Sequence, residues 1–81
     1  MEHARRRGLA RLMLRWPDRR AQLRSFSPDD PRLGDLFEAY ELACEAAGYW
    51  QRSDAPFGLE RAREYQALAD ATEEDILLKI S

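Results

Sequence analysis

Residues 31–52 read PRLGDLFEAYELACEAAGYWQR, and the spacing of their apolar side chains decides the fold class. From Leu33 the apolar positions are Leu36, Phe37, Tyr40, Ala43, Cys44, Ala47 and Trp50. The steps are three, one, three, three, one, three and three, which keeps one face of an α-helix apolar. Positions 33, 40 and 47 form one column and 36, 43 and 50 a second, close to the heptad form of a coiled coil. Asp35, Glu38, Glu41 and Glu45 read as the opposite, wet face. Upstream, Ser27-Pro28-Asp29-Asp30-Pro31 supplies capping side chains and prolines suited to a first helical turn. The spacing predicts a helix over 31–52, with Gly48 inside it because Trp50 still keeps register.

Working downstream, Ser53-Asp54-Ala55-Pro56 punctuates the chain and offers a cap and a first-turn proline for a second helix over 56–80. Its stripe is Leu59, Ala62, Tyr65, Leu68, Ala69, Thr72, Ile76 and Ile80. At ~1.5 Å per residue the two helices are similar in length, about 33 and 37 Å. The short connection makes them antiparallel neighbours. Ala43, Ala47, Ala62 and Ala69 let their backbones approach closely. Ile76-Leu77-Leu78 is apolar nearly all round, so the end of the second helix wants cover on more than one side.

Working upstream, residues 4–16 place Leu9, Leu12, Met13 and Trp16 on one helical face and Arg7, Arg11 and Arg15 on another. That is a basic amphipathic helix. Pro17 ends it, and helix resumes for a turn or two over 18–23. Valine is absent and strand-type alternation is missing, so no sheet is expected. The fold expected is all-α: a basic helical arm (1–24) before an antiparallel helical hairpin (25–81), in one domain. The bundle is completed by dimerisation or by the Leu9–Trp16 face of the arm.

Length and charge bound the function. A chain of 81 residues is near the size where one core supplies only about 3–5 kcal/mol. Cys44 is the sole cysteine, so a disulfide within the chain is excluded, and His3 and Cys44 cannot make a structural zinc site. Self-association is the remaining route to a larger core. No apolar run is long enough to span a bilayer, and Arg11 and Arg15 interrupt what would be a secretory signal. A cytoplasmic protein is expected. The net charge of −2 conceals an asymmetry: residues 1–24 carry a net +6 and residues 25–81 a net −8.

Several residue sets can carry function. Arg5, Arg6, Arg7, Arg11 and Arg15 can contact nucleic acid phosphates, although the acidic remainder of the chain opposes this and no groove-reading motif accompanies them. The same helix has the ingredients of a weak membrane-surface anchor. Alternatively, the arginine stripe 7, 11, 15 matches the acidic stripe 38, 41, 45 in spacing, and the two can face each other within a chain or across a dimer. Leu9, Leu12, Met13, Trp16, Trp50, Phe57 and Leu77 are the candidate protein-interaction residues. Tyr49, Trp50 and Phe57 fall together at the hairpin turn, as a hot spot or as a plug for its open end. Cys44 lacks a neighbouring base and reads as structural. The carboxylates sit on solvated faces and form no acid–base pair in differing environments. No cofactor site is expected, and no motif ties the chain to a named family. The reading is a non-enzymatic helical module that binds protein partners and forms a homodimer, with a nucleic-acid-binding or regulatory protein as the alternative. On this reading Leu36→Ala or Ile76→Ala costs about 2–5 kcal/mol and Glu41→Ala almost nothing.

Overall fold

The computed structural model describes residues 2–25 and 30–80. The described residues are helical: α1 (Glu2–Arg15), a 3-10 turn (Pro17–Arg19), α2 (Arg20–Ser25), α3 (Pro31–Gln51) and α4 (Gly58–Ile80). α3 and α4 pack along their length as an antiparallel hairpin, and α1 lies against α3.

Each boundary has a local cause. Trp16 leaves helical angles (φ −124°, ψ 72°) ahead of Pro17, which ends α1 where the proline requires it. Arg20 Nε then donates to the Met13 carbonyl at 2.9 Å, satisfying an orphan acceptor of the last α1 turn. α3 begins with Pro31 in its first turn, and the Asp30 carboxylate caps it, accepting from the Arg32 and Leu33 amides at 3.0 and 3.2 Å. The other capping candidates, Ser27, Pro28 and Asp29, lie outside the described residues. Gly48 is helical, as its register requires.

The start of α4 differs from expectation. Ser53 Oγ accepts from the Ala55 amide at 3.1 Å and closes a turn instead of capping a helix. Pro56 therefore sits in the turn, and α4 opens at Gly58. A Cβ at Gly58 would stand 3.0 Å from the Trp50 carbonyl oxygen, so this glycine lets the two helices meet closely at the hairpin end.

The core joins all four helices. Leu12 of α1, Leu23 of α2, Leu33, Phe37, Tyr40 and Ala43 of α3, and Ala69, Ile76 and Ile80 of α4 form one buried cluster. Leu12 and Ile76 have no exposed surface. The arm thus closes one side of the hairpin within the same chain. The close approach depends on Gly8: a Cβ there would fall 2.0 Å from the Phe37 carbonyl oxygen, inside van der Waals contact.

Two expectations for the helix faces need correction. Leu59 and Leu68, assigned to the buried stripe of α4, are 68% and 53% exposed. Both lie at the edges of that stripe, about 90° from the line of Ala62, Ala69, Ile76 and Ile80, at ~100° per residue. α3 alone covers α4 there and reaches only its centre. Glu41, assigned to the wet face of α3, is 2% exposed because α1 lies over it. Thr72, the other buried polar residue, satisfies its hydroxyl on the Leu68 carbonyl at 2.8 Å.

Candidate interaction site

The contact between α1 and α3 is a charged seam beside the Gly8–Phe37 approach. Arg11 forks onto Glu41, its Nε donating to Oε1 at 2.9 Å and its Nη2 to Oε2 at 3.4 Å. Arg7 Nε donates to Glu41 Oε2 at 3.2 Å, and Arg7 Nη2 to Glu45 Oε1 at 2.9 Å. The stripe at spacing four thus meets carboxylates at spacing four on a neighbouring helix. Arg5 reaches Asp35 at 2.9 Å over Gly34, whose missing side chain leaves room for the guanidinium.

The third member of the stripe turns to the other helix. Arg15 Nε donates to Glu73 Oε2 of α4 at 3.1 Å, not to Glu38. The same oxygen accepts from the Tyr40 hydroxyl at 2.6 Å. A chain of groups therefore ties α1, α3 and α4 together: Arg15, Glu73, Tyr40.

The electrostatics follow from this packing. Burial by itself would raise the Glu41 carboxyl; hydrogen bonds with Arg11, Glu45 and Arg7 outweigh it and hold the group below the usual carboxylate range. The hydrogen bond to Glu41 raises Arg11 further, and the one to Glu73 raises Arg15. Burial, then the bond to Glu73, pushes the Tyr40 phenol far above its ordinary value. Burial also raises the half-buried Cys44 thiol, the opposite of nucleophilic activation.

The candidate residues are placed as follows. Of the five arginines proposed for phosphate contacts, Arg5, Arg7, Arg11 and Arg15 are engaged by carboxylates of the same chain. Arg6 is exposed and makes no ion pair among the described residues. Leu12 is wholly inside, while Leu9, Met13, Trp16 and Leu77 pack half-buried against the core. Tyr49, Trp50 and Phe57 do gather at the hairpin end: Trp50 meets Tyr49 edge-on at 5.1 Å and Phe57 at 5.5 Å between ring centroids. Trp50 is half-buried; Tyr49 and Phe57 are half or more exposed. The facing of the arginine stripe and Glu41 and Glu45 within one chain is as the matched spacing allows; sequence reasoning missed the burial of Glu41, Glu73 as the third link and Gly8 as the crossing point. A glycine inside an otherwise periodic helix was the available signal for the last.

Two open clefts of about 620 Å³ flank the hairpin. One lies beside α1, where Arg11, Leu14 and Arg15 face Tyr40, Cys44 and Glu73. The other lies between α3 and α4, with no α1 residue in its wall. Among the described residues no three His, Cys, Asp or Glu side chains gather to hold a metal ion, and no helix is long and apolar enough to cross a membrane. No known family model, curated protein or solved structure matches the chain.

Proposed function

We propose that the protein is a non-enzymatic, cytoplasmic helical module that binds other proteins through its exposed helix faces, a second copy of itself among them. One observation carries the reading: Leu14, Leu42, Tyr49, Phe57, Leu59, Leu68 and Leu78 are all half or more exposed on a small chain. Scattered single leucines are ordinary on a surface. Seven large apolar side chains on so small a fold favour association. Light scattering on the intact chain at rising concentration tests it. A mass that climbs from monomer toward dimer is expected; a constant monomer mass with an undisturbed helical signal refutes self-association. The nucleic-acid alternative has less support, since four of the five arginines proposed for phosphate contacts already face carboxylates of the same chain. Its test is a gel shift with random DNA and RNA at about 50 mM salt, where electrostatic binding is strongest.

A further inference from the structure

We infer that the cleft between α3 and α4 on the side away from α1 is the dimer interface, and that its occupant is the same cleft of a second copy. This rests on the self-association proposed above and says where it happens. α1 packs on the edge of α3 that carries Gly34, Phe37 and Glu41. Ala39 lies about 200° round the helix from Phe37, at ~100° per residue, on the edge that α1 leaves uncovered. There Leu36 and Ala39 of α3 and Leu78 of α4 make an apolar floor and wall, Leu36 half-buried and Leu78 78% exposed.

Charge and area both favour a second copy. Arg32, Asp75 and Lys79 line the same cleft, and none makes an ion pair among the described residues. Asp35 at the rim is held by Arg5. A two-fold contact sets a patch against itself, so cations of one copy can meet Asp75 of the other, twice over. A folded monomer of 9.4 kDa exposes about 5,000 Å² by the scaling of surface with mass. This chain exposes 5785 Å². The excess of roughly 800 Å² goes with the elongated shape, and it is about the area that each partner buries in a standard-size interface. The molecule measures 43 × 23 × 19 Å, and a copy laid side by side thickens its thin direction.

The test is sedimentation velocity on the full chain between about 1 and 500 μM, with Ala39→Arg, Leu78→Arg and a control, Leu59→Arg. All three positions are exposed, so each variant should keep the wild-type helical signal. Expected is a concentration-dependent wild-type dimer, weakened at least about tenfold by Ala39→Arg and by Leu78→Arg and unchanged by Leu59→Arg. Variants that dimerise like the wild type overturn this interface while the self-association reading stands. A wild type that is monomeric throughout overturns both.

Discussion

Replacing Arg11 with alanine takes two hydrogen bonds, at 2.9 and 3.4 Å, from a carboxylate that is 2% exposed. Of its two arginines, Glu41 then keeps only Arg7, at 3.2 Å. A hydrogen bond to a charged group contributes about 1.5–3 kcal/mol, and an under-compensated buried charge costs more than its lost contact. The removed guanidinium is 45% exposed, so it gave up little hydration to be there. We expect a loss of about 2–3 kcal/mol, which for a domain of this length lowers Tm by about 10–20 °C. Removing the carboxylate instead is a different perturbation. In Glu41→Met the arginines extend into water and a thioether fills the space, so the cost should be within about 1 kcal/mol. In the Glu41→Met background, Arg11→Ala should cost almost nothing, since the charge it compensated is gone. Thermal melts followed by far-ultraviolet circular dichroism measure all four corners of the cycle. Glu41→Met falling as far as Arg11→Ala, or additivity of the two, would refute the seam as described. Acid adds a second readout. Because the folded Glu41 is held below its usual range, its contribution is present above about pH 4.3, the ordinary glutamate value, and is lost as pH falls through the folded one. Glu41→Met should therefore lose stability less steeply than the wild type at acid pH.

Gly8→Ala should separate α1 from α3, because its Cβ meets backbone that cannot swing aside, and overpacking of this kind costs about 1–3 kcal/mol. Intrinsic tryptophan fluorescence should show Trp16 moving into water, and an unshifted spectrum with an unchanged Tm contradicts the crossing point. Tyr40 should stay protonated well into alkali, because burial and the bond to Glu73 hold its phenol far above the ordinary tyrosine value. Tyrosinate absorbance near 295 nm at about pH 10, the ordinary tyrosine value, should therefore be the same in the wild type and in Tyr40→Phe, and a smaller signal in Tyr40→Phe would count against the Glu73 link. Ile76→Ala should cost about 2–5 kcal/mol and Leu68→Ala under about 1, by urea unfolding. Equal costs would mean the buried face of α4 is misplaced.

The hairpin was legible because each helix announces its own apolar face. Leu33, Phe37, Tyr40, Ala43 and Ala47 were expected inside from spacing alone and are buried. Spacing fails where a third element intervenes. Glu41 belongs to the polar face of α3 considered singly, and only the placement of α1 turns it inward. Gly8 has no side chain from which a pattern can be drawn, yet its backbone sets the closest approach in the arm. Glu73 sits in a Glu-Glu-Asp run that reads as solvation, and its partners Tyr40 and Arg15 are far away in sequence. Leu59 and Leu68 fail for the converse reason: they follow the stripe in the sequence, but one facing helix covers less of α4 than the stripe spans.

The charge asymmetry has the same resolution. Eight arginines in the first 24 residues suggest an arm reaching for an external polyanion. In the fold, four of the eight face Asp35, Glu41, Glu45 and Glu73, so half of the arm's arginines are met by the hairpin's excess negative charge. Most of these pairs are exposed, and exposed pairs orient more than they hold. The exception is Glu41, whose burial demands a cation, and Gly8 fixes the register: sliding α1 by one helical turn would bring another arginine of the stripe to Glu41 but drive Gly8 off Phe37. Leu12 supplies the burial that holds the arm, Glu41 turns its arginine stripe toward α3, and Gly8 determines where it sits. That division explains how a short helix can dock in one position on a longer one, leaving the opposite edge of α3 free for a partner.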